Sequence, residues 1–561
     1  MTNTEYTSKF HQDNFWRLRI LTFTSGAIIM GLEIVTSRIL TPVFGSTIYT
    51  WGSLIGVILS GLSLGYFLGG RIADNHPRFD KICGIVFSVG LFIVGIPFFA
   101  SYVVDFSIAV LPGTQYTPLL ATFLLLMLPS VLLGFVSPYV IKLGTSTLKR
   151  VGNISGNLYS IATIGGIFGT FVTVFVLIPN ISVNQIIFGL GIVLITSSLI
   201  GLKNSPKVIA ITVLIILLVP WTSLSLHSFP HYGTLVYEKE TLFSHLDVTE
   251  FGDKRSLYLD GMKHSSMNLN DPLDLVIDYT EYFHLGMMFN PDATKVLFVG
   301  GGGFTGPKNF LALYPDTKID VIEIDSDVID VSKKYFDLKE DSRLQIFNDD
   351  ARKHLSTYDK KYDLIVLDAY ASTYIPYHLI THEFFQTLEE RLEPDGVIVS
   401  NLLGSIEGHN SQLVKAVYKT MKETFPVEYI FPTETNPGNL QNIMIVSSNH
   451  PYEFDRLTLL GIAENTPAEY LVDELSKQEH FYLKTVDTSN DPFFTDQHNP
   501  SETMFNPLTS MPYVQEFQDE NIQENENRED VVNLSLGVAL AILAGLWLLY
   551  FKKKIWVKLA I

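Results

Sequence analysis

The sequence predicts a multi-pass α-helical membrane bundle joined to a doubly wound, Rossmann-like α/β domain with a small N-terminal β subdomain. Three observations predict this: apolar stretches of spanning length before residue 227, a sharp change of charge beyond it, and β-rich runs alternating with helical segments from residue 294 onwards. At 561 residues and 47% hydrophobic residues, the chain is too long for one core and apolar enough for a membrane.

The bundle comes first. Seven apolar stretches, near 18–40, 51–73, 81–104, 117–141, 154–177, 183–201 and 207–226, each approach the ~20 residues a membrane span needs, and an eighth covers 532–551. Basic residues alternate between them. Lys9, Arg17 and Arg19 come first, then Arg71, Arg78 and Lys81, then Lys142, Lys149 and Arg150, then Lys203 and Lys207. The positive-inside rule therefore puts the N terminus in the cytoplasm, and Lys552, Lys553 and Lys554 put the C terminus there too. Seven spans leave the intervening soluble domain outside the cell membrane, whereas a re-entrant 207–226 segment, with its Pro220, would bring the domain inside and push the Lys552–Lys554 cluster outside. No cleavable signal is expected, because the first apolar run is too long.

Gly61, Gly65 and Gly69 recur every four residues and predict close packing inside the bundle. Glu33, a carboxylate within the first span, is a functional candidate or a structural partner of another helix. Arg38 lies near the end of that span, where its head group can snorkel.

The soluble half is acidic. Residues 227–530 hold 52 Asp+Glu against 23 Lys+Arg, a net charge of −29, while the whole chain carries −19. Such a domain repels nucleic acid and attracts cations. Cys83, the single cysteine, excludes an internal disulfide and a multi-cysteine metal site. No metal is expected.

Short alternating runs between Gly233 and Met262 (TLVYE, LDVTEF, SLYLDG) predict a small antiparallel subdomain, with boundaries 227–285 once an entry helix is included. The main domain, 286–512, then reads as strands at 294–300, 318–324, 344–348, 362–368 and 396–402. The helices lie near 306–314, 326–336, 350–357, 381–392 and 410–425, and two closing strands near 427–432 and 442–447. That order implies a mostly parallel sheet. The strongly acidic segment 513–531 is a tether into the last span.

Ligands of such sheets bind beyond the carboxyl ends of the strands. The residues there are a glycine loop, GGGGFTG at 300–306, that includes Gly300, Gly302 and Gly303 and can bring a ligand to the backbone at a helix start. After the next strand comes Glu323, placed to accept ribose hydroxyls. Asp349, Asp350 and Ala351 follow the third, and Asp368 the fourth. A carboxylate at successive strand tips is either a nucleoside site or a set of unrelated helix caps.

At these residues the soluble half resembles the spermidine synthase (polyamine aminopropyltransferase) family, in the form fused to an N-terminal membrane bundle. The resemblance rests on LDG at 259–261, Tyr279 with Glu281, VLFVGGGG, VIEID, NDDAR, YDLIVLDAY and EPDGVIVSN. In the membrane half it rests on GLEIVTSRIL at 31–40 and LSGLSLGYFLGGRIAD at 59–74, and near the end on TDQHNPSE at 495–502. It implies a class I methyltransferase-type fold, decarboxylated S-adenosylmethionine as co-substrate and putrescine or a related amine as acceptor. It also implies a lipid bilayer around the bundle and self-association into a homo-oligomer. By this likeness Glu323 holds the donor's ribose, Asp350 the adenine amino group, and Asp368 is the catalytic carboxylate. Tyr279, His245 and Tyr370 are candidate substrate-binding residues.

The sequence departs from the family at three places. Gly303 stands where an Asp grips the donor's amino group, Ala371 where a second Asp binds the acceptor, and Asn436 where a pocket Tyr is usual. His245, His378 and Glu407 are possible substitutes. Two other readings stay open: a methyltransferase using S-adenosylmethionine itself, and a non-catalytic nucleoside-binding or transport protein.

Overall fold

The computed structural model describes residues 15–45, 47–111, 116–145, 151–202, 233–369, 376–450, 454–467, 470–476, 486–501 and 504. These fall into two compact units, parted between residues 202 and 233. The stretches 207–226 and 532–551, expected to span a membrane, lie outside the described residues, as does the tether at 513–531.

In the first unit, six helical stretches are long and apolar enough to cross a membrane: Phe15–Phe44, Ile48–Asn75, Phe79–Val110, Thr117–Gly144, Val151–Leu177 and Val183–Leu202. They correspond to the first six predicted spans. The fourth is two helices, Thr117–Gly134 and Val136–Gly144, running on through Phe135, and the fifth ends in a π-helical turn at Thr173–Leu177. The spaced glycines have the packing role expected of them. A Cβ on Gly65 would come within 2.2 Å of the Val131 carbonyl oxygen, and one on Gly61 within 2.6 Å of Ser130, so the backbones of the second and fourth spans touch. Glu33 is partly buried in the first helix.

The second unit holds two sheets. The smaller is antiparallel, in the order β1 (Thr234–Glu240), β2 (His245–Phe251), β3 (Lys254–Leu259), β4 (Met262–Asn268). The sequence announced three of these strands. The fourth, MKHSSMN, was missed because it has few apolar residues and no alternation of them. Asp260 and Gly261 join β3 to β4 with φ of 51° and 77°, the paired positive φ of a type I′ hairpin turn that an Asp-Gly pair satisfies.

The larger sheet has seven strands in the order β10 (Val427–Pro432), β11 (Gln441–Ser448), β9 (Leu392–Gly404), β8 (Tyr362–Leu367), β5 (Lys295–Val299), β6 (Lys318–Glu323), β7 (Leu344–Asn348). Strands β5 to β9 run parallel, and β11 is antiparallel to β9. Their runs, such as VLFV and LIVL, are apolar throughout because helices cover both faces. Phe298 and Val296 point into one core and Leu297 and Val299 into the other, all but fully buried. The connecting helices, Thr305–Leu313, Ser326–Tyr335, Ala351–Thr357, His382–Glu390 and Gln412–Lys422, lie within a few residues of expectation. Two further short helices, Arg456–Ala463 and Tyr470–Ser476, were not anticipated.

Candidate active site

Strand order reverses at β5, with β6 on one side and β8 on the other, so the chain leaves β5 into a crevice between diverging connections. That is where open α/β sheets bind ligands. The Gly300 amide donates to the Ile322 carbonyl at 2.9 Å, and the Asp368 amide donates to the Val299 carbonyl at 2.9 Å. Gly300 has φ +96°, and a Cβ there would lie 2.5 Å from the Asp368 carbonyl oxygen. The glycine is required both by its backbone angle and by this contact. Gly302 also lies at positive φ, +48°.

Three amides of this loop are used inside the protein: Gly301 donates to Glu323 Oε2 at 2.8 Å, Gly303 to Ser265 Oγ at 2.7 Å, and Phe304 to the Gly301 carbonyl at 2.8 Å. These bonds hold the loop against the protein. Gly303, the position where the family resemblance puts an Asp, sits against β4. A Cβ on it would lie 2.8 Å from the Ser265 Cβ and 3.0 Å from the Phe336 ring.

Glu323, at the tip of β6, is buried. Besides Gly301, it accepts the Asp325 amide on Oε1 at 2.9 Å. Burial raises its pKa, and the amides of Asp325, Gly301 and Gly302 pull the other way. An ionised carboxylate has about four lone-pair directions, so these amides leave room for a further donor such as a ribose hydroxyl.

At the tip of β7, Asp349 pairs with Lys353 at 2.7 Å, and that bond holds its carboxyl below the usual range. Asp350 caps the following helix, with Oδ1 accepting the Lys353 amide at 2.9 Å, while Oδ2 lies 3.1 Å from His378 Nε2. Ala351 begins that helix and is buried.

Asp368 follows β8. Its two oxygens have different partners: Asn401 Nδ2 donates to Oδ1 at 2.8 Å, and the Tyr279 hydroxyl donates to Oδ2 at 3.3 Å. Burial raises its pKa to about 7, against the lowering effect of these two donors. A carboxylate poised there can take or give a proton near neutrality.

Asn401 was not singled out from the sequence, although it ends the quoted EPDGVIVSN. The only signal was its place at the end of a strand beside β8. Tyr370 and Ala371 lie outside the described residues. Asn436 belongs to a turn, where its Oδ1 accepts the Gly438 amide at 3.0 Å. Glu407 is exposed.

His245 is placed among carboxylates. Nδ1 lies 2.7 Å from Glu240 Oε1, and Nε2 lies 3.1 Å from Asp247 Oδ1 and 3.4 Å from Glu238 Oε1. Burial opposes its protonation, but the bonds to Asp247 and Glu240 prevail and raise its pKa to about 11. Glu238, His245 and Asp247 are the one group among the described residues with ligand atoms close enough to share a metal ion. The raised pKa favours the imidazolium, whose charge would complement the carboxylates around it.

The sheet order and the carboxylates at its switch point define a Rossmann-like domain of the class I methyltransferase type. Within it, residues 278–456 match the family described as the spermine/spermidine synthase domain. The polyamine aminopropyltransferase of Vibrio vulnificus is 29% identical over 224 residues, which cover 38% of this chain and 73% of that protein. The probable polyamine aminopropyl transferase of Bifidobacterium longum is 30% identical over 194 residues, 34% of this chain and 42% of that protein. A crystal structure of a probable spermidine synthase from Corynebacterium glutamicum aligns with 46% of this chain and 99% of its own, with TM-score 0.37 and 20% identity.

Proposed function

We propose that the protein is a membrane-bound aminopropyltransferase that moves an aminopropyl group from decarboxylated S-adenosylmethionine to putrescine or a related amine. The observation that carries this reading is Asp368: a carboxylate at the switch point, oriented by Asn401 and Tyr279, with its pKa raised to about 7. The family match over 278–456 supports it.

In the reaction, the acceptor nitrogen attacks the aminopropyl carbon bonded to the donor's sulfonium. The C–S bond breaks, and the sulfur keeps both electrons and leaves as neutral methylthioadenosine. The acceptor amine is an ammonium near neutral pH and has no free electron pair, so ionised Asp368 first takes one of its protons; after attack the product nitrogen keeps its two remaining hydrogens and the positive charge, and Asp368 returns its proton to solvent. The chain's task is alignment and proton removal. Glu323 would hold the ribose, Asp350 the adenine amino group, and the loop at 300–304 would set how closely the nucleoside approaches. Gly303 offers no carboxylate to the donor's amino group, so recognition of that tail falls to other residues.

Six spans would return the chain after Leu202 to the side of the N terminus, the side that the basic residues Lys203 and Lys207 favour. A seventh span at 207–226 would then carry the soluble domain to the other side. Reporters fused after Leu226 and after Ile561 test this. A cytoplasmic signal at both would refute the seven-plus-one arrangement.

Purified full-length protein incubated with putrescine and radiolabelled decarboxylated S-adenosylmethionine should yield labelled spermidine. Transfer from S-adenosylmethionine alone, as a methyl group, would replace this reading with a methyltransferase.

A further inference from the structure

The segment 494–499 lies beyond the matched family region, which ends at 456, yet it is stitched to the wall of the candidate site. The Phe494 side chain is fully buried in the core on one face of the large sheet. Its carbonyl accepts the His382 amide at 2.9 Å. Two residues on, Asp496 meets Arg352 in a two-pronged pair, Oδ1 to Nη1 at 2.7 Å and Oδ2 to Nη2 at 2.5 Å. It also accepts the Thr381 hydroxyl at 2.8 Å. Asn499 Nδ2 donates to the Tyr377 carbonyl at 2.9 Å.

Arg352 is the hub. Its Nη1 also donates to the His378 carbonyl at 3.0 Å, and it stands two residues after Asp350 on the helix that Asp350 caps. The carboxylate of Asp496 thus fixes, through one guanidinium, both the helix that bears Asp350 and the turn at 377–379 that bears His378. These are the two sides of the 3.1 Å contact between His378 Nε2 and Asp350 Oδ2. A bidentate Arg–carboxylate fork has a set plane and holds its neighbours in register, which a single ion pair does not.

We propose that Asp496 is a positioning residue for nucleobase selection: through Arg352 it holds His378 against Asp350, so that the Asp350 carboxylate is aimed at an exocyclic amino group. The inference rests on the reading that Asp350 faces the base of a bound adenosine. A base with a 6-amino group donates to that carboxylate. A 6-oxo base sets an acceptor against it, and such a mismatch in a built polar site is rejected strongly.

The test is calorimetric titration of the full chain with methylthioadenosine and with methylthioinosine, which differ at that position. Wild type should prefer the former by about 100-fold, the scale of one unsatisfied buried partner. Asp496→Asn should cut that preference about tenfold, mainly by weakening methylthioadenosine binding, and Arg352→Lys, which keeps the charge but loses the fork, should do the same. Asn499→Ala, a milder change at an exposed contact, should move the ratio in the same direction with the fold intact by circular dichroism. A kcat close to wild type at saturating donor separates positioning from general damage. If wild type discriminates and folded Asp496→Asn and Asn499→Ala variants discriminate equally well, the clasp has no such role. If wild type binds neither nucleoside, the adenosine reading of the site falls, and this inference with it.

Discussion

Asn401 donates its side-chain amide to Asp368 Oδ1 at 2.8 Å, and its Oδ1 accepts the Asn442 side-chain amide at 3.0 Å. The three residues come from the ends of β8, β9 and β11, so adjacent strands of the sheet hand a hydrogen bond along to the carboxylate. An amide clamped by a second amide has one orientation. It presents N–H to Asp368 and favours the charged form of a group that burial pushes towards neutrality.

Replacing Asp368 by Asn should remove the proton acceptor and leave the shape. We expect kcat to fall by about 10²–10⁴, the usual worth of a positioned general base, with methylthioadenosine affinity within a few-fold of wild type. Steady-state rates and calorimetry on the same preparation check both halves. A variant that retains full turnover would exclude Asp368 as the base.

The pH profile follows from the same group. Because Asp368 must be ionised to accept a proton and its pKa is raised to about 7, kcat should rise through pH ~7 on the acidic side. Asn401→Leu removes a donor to the anion, so the midpoint should move upwards by about one unit, as loss of a hydrogen bond to a charged group implies. The sign for stability is opposite. The folded state holds this proton between about pH 4 and 7 while the unfolded chain has lost it, so this residue's contribution to stability declines as pH rises through that window. Asp368→Asn should flatten that slope in pH-dependent urea melts.

Gly303→Asp restores the residue type that the family resemblance implies, and the structure says that it will not fit. The new Cβ would collide with Ser265 at 2.8 Å. We expect a stability loss of about 1–3 kcal/mol from overpacking, read as a lower Tm, and no gain in turnover. A stable variant with faster transfer would show that the loop can move away from β4.

Much of this was legible beforehand. The parallel strands announced themselves as unbroken apolar runs, and the carboxylates at their tips were found by counting from strand ends. What stayed hidden depends on pairings between distant residues. Asn401 acquires its role only because β9 lies beside β8. Ser265, on the polar strand β4 that the pattern missed, takes the amide of Gly303. His245 has Glu238, Glu240 and Asp247 around it across the β1–β2 hairpin, a convergence that no spacing in the sequence shows. Short polar strands and cross-strand neighbours leave no periodic signal in the chain.

Lys308 offers a test of the packing behind the glycine loop. It is buried, with Nζ donating to the carbonyls of Pro272, at 3.2 Å, and Phe336. Burial lowers its pKa to about 8. Between pH ~8 and ~10 the folded protein has shed a proton that the unfolded chain keeps, so stability gains from this residue as pH rises there. Lys308→Met should abolish that gain and lower stability at pH 7 by leaving two carbonyls without their donor. Urea melts at pH 7, 8.5 and 10 measure it, and an unchanged pH slope in the variant would contradict the assignment.

The proposed function requires a bound adenosine whose sugar hydroxyls Glu323 would hold. Calorimetric titration of methylthioadenosine into the intact protein and into Glu323→Ala measures this directly. We predict saturable binding to the former and a loss of at least about tenfold in the latter, the worth of hydrogen bonds to a charged group. No binding to the wild type, or equal affinity in both, would contradict it.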